Sequence, residues 1–291
     1  MNADWIGISN ETLSASINPL GAELSSLMDS GHHQLMTDAD PAFWTGRAPL
    51  LFPIIGELAG GEYRLDGKRY ALPRHGFARR QHFQVVEKIR DRLLLRLTDN
   101  EATRAVYPFA FALDTDFALE GATLRITVTA ANRSNSDMPA SFGFHPAFAW
   151  PLPYGQPRED HAVTFAQAEP EPLKQLADNL IGRENRPSPV EGRRLVLRDD
   201  LFADDALIWE GVRSDSLVYG ADTGPSLRIA WGNTPNLGIW TKPGAHYVCI
   251  EPWAGIADRK GFEGEIWDKP GIVRVAPGAS ASWWMSVTLQ A

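Results

Sequence analysis

The chain has 291 residues, 44% hydrophobic and 22% charged, with a formal net charge of −8 and a sequence pI near 5.4. That balance argues against a nucleic-acid binder, which shows a basic patch or stripe, and against a polybasic membrane anchor. The one cysteine, Cys249, leaves no internal disulfide and no sign of an oxidising compartment. A chain this long buries a sizeable core. Its ten tryptophans supply flat apolar faces suited to sugar C–H surfaces. Met1-Asn2-Ala3-Asp4-Trp5 has no basic n-region and no long apolar run, so no signal peptide is expected. No run approaches the ~20 apolar residues that span a bilayer. The expectation is a soluble cytoplasmic protein, monomer or homodimer, with no nucleic-acid or membrane partner.

From Trp5 to Met28 the pattern is strand-like, with Ile6 and Ile8, then Leu13, Ala15 and Ile17, alternating with small or polar residues. Asn18-Pro19-Leu20-Gly21 is a turn. Asp40-Pro41 opens a helical turn, Asp40 as cap and Pro41 at its first position. The run from Arg47 to Gly56 is apolar but holds two prolines, which disfavours a central strand and predicts a loop descending into the core. Asp66-Gly67 between alternating runs predicts a hairpin of residues 62–65 and 68–72. Strand pairs follow over 83–87 with 93–98, and over 109–119 with 122–131, with a short helix over 101–106. Residues 151–189 lack regular pattern and read as a long excursion with one strand near Val163 and Phe165. A helical turn begins at Asp199 and becomes extended by Ile208. The remaining strands are expected over 217–219, 227–231, 237–240, 247–250 and 282–289. Many strands, few helices and no repeat predict one all-β domain over 1–291, an antiparallel sandwich or barrel.

Ser141-Phe142-Gly143-Phe144-His145-Pro146-Ala147-Phe148 places one histidine among apolar residues. Pro146 pushes His145 into an extended conformation. Gly143 leaves room for a group to approach the backbone, and Phe142, Phe144 and Phe148 can supply dry walls. An imidazole held in a partly dry cleft suits proton transfer near neutral pH. A core histidine bonded to a carbonyl is the competing reading. Glu251, in Cys249-Ile250-Glu251-Pro252-Trp253, is a carboxylate beside an indole, and His75 lies between a proline-led turn and Gly76. Burial would raise the Glu251 pKa and a nearby cation would lower it. Arg47, Arg74, Arg79 and Arg80 stand out in an acidic chain, and guanidinium forks bind hydroxyls, carboxylates or phosphates. Arg47 sits in a context that favours burial, where it needs partners. One of Asp204 and Asp205 caps a turn and the other can face a cleft. The spacing gives no His-x-His, His-Glu-x-x-His or cysteine cluster, no phosphate-cradling loop and no nucleophile elbow. Metal ligation, nucleotide hydrolysis and serine hydrolase chemistry are therefore not expected.

Pro73-Arg74-His75-Gly76-Phe77-Ala78-Arg79, Gly143-Phe144-His145-Pro146-Ala147-Phe148, Asp205-Ala206-Leu207-Ile208 and Ile250-Glu251-Pro252-Trp253 occur in this order. Together they resemble the aldose 1-epimerase (galactose mutarotase-like) family, closest to the compact subgroup of hexose-6-phosphate mutarotase relatives. The resemblance spans about Trp5 to Leu289. It implies a β-supersandwich and cofactor-free interconversion of the anomers of an aldose or aldose phosphate. It implies Glu251 as general base and His145 as general acid. Arg47, His75 and Asp205 would hold the sugar, Trp253 would wall the site, and Arg79 or Arg74 would grip a phosphate. The Arg47 segment lacks the longer glycine- and asparagine-containing context of galactose mutarotases proper. A non-catalytic sugar-binding protein on the same scaffold is the rival, and a two-carboxylate glycoside hydrolase using Glu251 and Asp205 is a third reading.

Overall fold

A computed structural model describes residues 4–291. Met1, Asn2 and Ala3, part of the stretch without a signal-peptide pattern, lie outside the described residues. No helix among the described residues is long and apolar enough to cross a membrane.

Two large sheets carry the fold, one of nine strands and one of eight. Their strand pairs are antiparallel throughout. The nine-stranded sheet is centred on Phe111–Glu120, Thr123–Asn132 and Ser280–Gln290. Leu124, Ile126, Val128 and Ala130 alternate inward and are buried, as the period of two requires. The opposite face is polar and laced across strands. Thr123 meets Thr288 and Thr129 meets Ser282 through their hydroxyls, Arg125 lies over Trp284, and Arg92 and Arg96 fork onto Asp116 and Asp114.

The eight-stranded sheet is built around Tyr247–Ala254, flanked by Asn236–Trp240 on one side and by Phe142–Phe144 and Ala147–Ala149 on the other. Phe142 of this sheet stacks on Trp283 of the other, ring centroids 5.1 Å apart, so the sheets pack face to face. The main core runs from Ile8 to Val287 and takes Val248, Ile250 and Ala254 from the central strand. The other face of that strand is buried as well: Tyr247 and Cys249 join one smaller apolar cluster and Trp253 another. This outer face forms the floor of a cleft.

The predicted hairpin at Asp66-Gly67 forms, both residues at positive φ, and Glu101–Val106 is an α-helix capped by Asn100. Leu50–Leu51 is a short strand inside the predicted loop. The segment 151–189 departs most from expectation. Besides Ala162–Phe165 it holds Leu173–Ala177 and Leu180–Arg186, a hairpin closing on Asp178 and Asn179, both at positive φ. Phe142, Phe144 and Phe148 turn into the inter-sheet core, so they support the site from beneath and do not wall it.

Candidate active site

Strand register builds the centre of the cleft. Gly143 pairs with Trp253 and Ala147 pairs with Cys249. The same register carries His145, midway between them, to the position directly across from Glu251. Cβ atoms at such positions lie ~4.5–5.5 Å apart, close enough for the two side chains to meet. His145 Nε2 is 3.2 Å from Glu251 Oε2, and both side chains are almost fully buried. Gly143 does leave room, and Trp253 takes it: a Cβ at Gly143 would lie 2.6 Å from the indole, and one at Gly238 2.5 Å. Trp44 tilts against the His145 ring at 5.0 Å, and His75 and Trp240 meet it edge-on at about 6 Å.

His75 and Gly76 both adopt positive φ. There the chain crosses so close to Phe52 that a Cβ at residue 76 would sit 2.1 Å from the Phe52 carbonyl oxygen. The His75 N–H donates to the Gly56 carbonyl at 2.9 Å. The Gly56 N–H donates to His75 Nδ1 at 3.0 Å. A neutral imidazole accepting at Nδ1 carries its proton on Nε2. Arg74 Nε lies 3.2 Å from that nitrogen. Both atoms then bear hydrogens, and one oxygen placed between them would accept from both.

His145, Glu251, Trp253, Trp44, Trp240, His75 and Arg74 line a cleft of about 310 Å³, together with Asp205, Arg79 and Asn179. The family model described as aldose 1-epimerase matches residues 4–288. The chain belongs to the aldose 1-epimerase family. The chromosomal protein LacX of Lactococcus lactis subsp. lactis is 29% identical over 283 residues, covering 94% of this chain and 95% of the relative. A galactose mutarotase related enzyme from Lactobacillus acidophilus superposes with a TM-score of 0.90 at 32% identity, over 99% of this chain and 97% of that one. A galactose mutarotase-like protein from Lactobacillus casei gives 0.91 at 28% identity, over 98% of this chain and 100% of that one. This chain is therefore an isomerase with a sugar as its small-molecule partner, on the β-sandwich that the resemblance implied.

In this epimerase, burial sets the electrostatics of the centre. It pushes Glu251 well above the usual carboxylate range; Arg74 works against the rise and Asp205 adds to it. It pushes His145 down to about 3, partly opposed by its own backbone carbonyl, with Arg79 and Arg74 adding to the fall. Burial disfavours charge on both partners. The free pair therefore rests as a carboxylic acid beside a neutral imidazole and titrates as a unit. His75 is likewise held neutral by burial, with His145 and the two arginines adding.

Seven of the eight residues expected at the site of the epimerase line the cleft: His145, Glu251, His75, Arg74, Arg79, Asp205 and Trp253. Between the neighbouring acids, Asp205 is the one beside Glu251. It sits at positive φ and accepts the Ala206 N–H. Arg47 is the exception. Its guanidinium donates to the carbonyls of Ser25, Thr37 and Asp38, and its backbone N–H donates to Glu23. The partners its burial demands are main-chain oxygens, and it is not among the residues lining the cleft. The lining residues that sequence did not single out include Trp44, Trp240 and Asn179. Trp44 belongs to the turn after Asp40. Trp240 ends an expected strand. Asn179 sits at the tip of the unexpected hairpin, where it accepts from Arg74; the Asp178-Asn179 pair was the available turn signal.

Proposed function

We propose that this epimerase interconverts the α and β anomers of an aldose by ring opening between Glu251 and His145. The observation that carries the reading is the 3.2 Å approach of His145 Nε2 to Glu251 Oε2 on the cleft floor. Ring opening takes a proton from the C1 hydroxyl and gives one to the ring oxygen. With Glu251 as carboxylate and His145 as imidazolium, Glu251 accepts the first and His145 donates the second. This leaves Glu251 protonated and His145 neutral, the distribution that burial favours. The C1–C2 bond rotates, the carbonyl turns its other face, and the transfers run in reverse to close the opposite anomer. The two distributions hold the same number of protons, so a turnover consumes none.

The Nε2–H of His75 and the Asp205 carboxylate offer a donor and an acceptor for sugar hydroxyls, and Trp253 offers an apolar wall. Arg74 and Arg79 bring two guanidinium groups to the same cleft, which supports an aldose phosphate as substrate beside free aldoses. Anomer exchange followed by NMR, on aldoses and their 6-phosphates, tests the reading. The expected result is exchange above the spontaneous rate, lowered ~10²–10⁴-fold by Glu251→Gln or His145→Asn. Saturable sugar binding with no acceleration would replace the enzyme by a sugar sensor. Equal loss on free and phosphorylated sugars in Arg79→Ala would remove the phosphate assignment.

A further inference from the structure

Side chains two residues apart on a strand share a face, so Cys249 points the same way as Glu251. Its register partner Ala147 lies two residues from His145. One ring nitrogen of His145, the Cys249 sulfur and a Glu251 carboxylate oxygen consequently all lie within 4.8 Å of one another. The thiol is fully buried and takes no part in the ring opening described above.

We propose that His145, Cys249 and Glu251 form a binding site for a thiophilic divalent cation such as zinc, and that an ion held there switches the epimerase off. The donor types fit. Imidazole, thiolate and carboxylate are the ligands zinc takes, and hard ions such as magnesium prefer oxygen alone. The charges fit as well: thiolate and carboxylate together cancel the two positive charges, so the buried cluster carries no net charge once filled. Spacing is the third point. Bonds of ~2.0–2.3 Å to a tetrahedral ion set donor atoms roughly 3.3–3.7 Å apart. The His145–Glu251 contact is already 3.2 Å, and the sulfur needs a shift of about 1 Å or less to complete the triangle. Three protein ligands leave the fourth position open, and here it faces the cleft, because His145 and Glu251 line it.

Binding expels the thiol proton and the proton shared by the His145–Glu251 pair. The ion then occupies both atoms that exchange protons with the sugar, so occupancy and turnover exclude each other. No ligand motif marks the site in sequence, because Cys249 and Glu251 are spaced for a strand face and His145 arrives from the neighbouring strand.

The inhibition rests on the proposed ring-opening roles; the binding does not, and the experiment separates them. Cys249 is the only cysteine in the chain, so a thiolate-to-cobalt charge-transfer band reports this residue alone. The full-length protein, cleared of metal with a chelator, is titrated with Co²⁺ and then Zn²⁺. The expected result is a near-ultraviolet band saturating at one Co²⁺ per chain, displaced by Zn²⁺, untouched by Mg²⁺, and absent in Cys249→Ala. Zn²⁺ is expected to stop anomer exchange in the wild type and EDTA to restore it. Cys249→Ala should keep the basal rate and require more Zn²⁺ by over the ~10–100-fold that loss of an outer-shell partner costs. No band in the wild type overturns the site, as does inhibition of equal strength in Cys249→Ala. If Cys249→Ala does not fold, persistence of the wild-type band in His145→Asn overturns it instead. A normal band in a protein that accelerates no anomer exchange overturns the ring-opening roles and leaves the site standing.

Discussion

Replacing Gly76 by alanine tests how the His75 loop is held. A residue at positive φ with a Cβ costs ~1–2 kcal/mol. Gly76 sits at φ 73, and its Cβ would also lie 2.1 Å from the Phe52 oxygen, 2.5 Å from the Phe52 carbon and 2.8 Å from Pro53 Cδ. An ordinary contact is about 3.5 Å, so the overlap exceeds about 1 Å at the carbonyl. That carbonyl is pinned, because it accepts the N–H groups of Phe77 and Ala78. Overpacking against fixed atoms adds ~2 kcal/mol or more, for a total of ~3–5 kcal/mol. Gly67 is the matched control, at φ 76 with nothing within 4 Å of its Cβ; there only the ~1–2 kcal/mol of conformational strain applies. Urea unfolding of both variants should place Gly76→Ala at least ~2 kcal/mol below Gly67→Ala. The corresponding gap in Tm is ~4–8 °C. The Gly76 variant should also lose anomer exchange as His75 shifts, and the Gly67 variant should not. Equal stability of the two would refute the argument that close approach, and not backbone conformation alone, requires glycine at 76.

Arg47→Met should lower stability by ~1–3 kcal/mol, through loss of charged hydrogen bonds to three carbonyls in a half-buried setting, and leave KM for the sugar unchanged. A raised KM at normal stability would return Arg47 to the substrate. Because burial lowers the folded pKa of His75, the unfolded chain takes up a proton below about pH 6.5 that the folded chain refuses. Stability therefore falls as pH drops through that range, and between pH 7 and pH 5 the wild type should lose more than His75→Gln does, by at most ~2 kcal/mol; parallel pH profiles in denaturant unfolding would contradict this. Lys269 and Asp258 form a buried ion pair. Asp258 also accepts the Ala59 N–H and, through its backbone carbonyl, that of Ile181. Lys269→Met strands the carboxylate and should cost ~3–5 kcal/mol, with part recovered in Lys269→Met/Asp258→Asn. No recovery in the double variant would mean the cost is packing and not charge.

The sheets were legible because their strands alternate. Leu124, Ile126 and Val128 on one face and polar partners on the other declare a half-buried strand without further information. His145 and Glu251 were legible as two residue types in suggestive settings, but not as a pair, since register is a long-range property that neither segment encodes alone. The hairpin of 173–186 stayed hidden because much of it is partly or fully exposed. Its pattern lacks a buried stripe, and only the Asp178-Asn179 turn marks it. The apolar setting of Arg47 shows that it needs partners, but sequence does not distinguish a sugar hydroxyl from a backbone carbonyl. Trp44 escaped notice because turn residues carry no periodic signal. A lone Cys249 excludes a disulfide from sequence alone, but its placement beside His145 depends on the same register.

The ladder that sets His145 across from Glu251 also divides the labour of the molecule. The spacing of His145 and Glu251 is inherited from the pitch of a strand buried on both faces, so on the proposed mechanism assembling the pair requires no loop to close. The rim is made of separate pieces: the Asn179 hairpin tip, the turn bearing Trp44, and the Arg74–Arg79 segment. A rim segment can be lengthened, recharged or replaced while the central strands keep their register. Grafting rim segments from a relative onto this chain is therefore a route to changing sugar preference without disturbing the His145–Glu251 register.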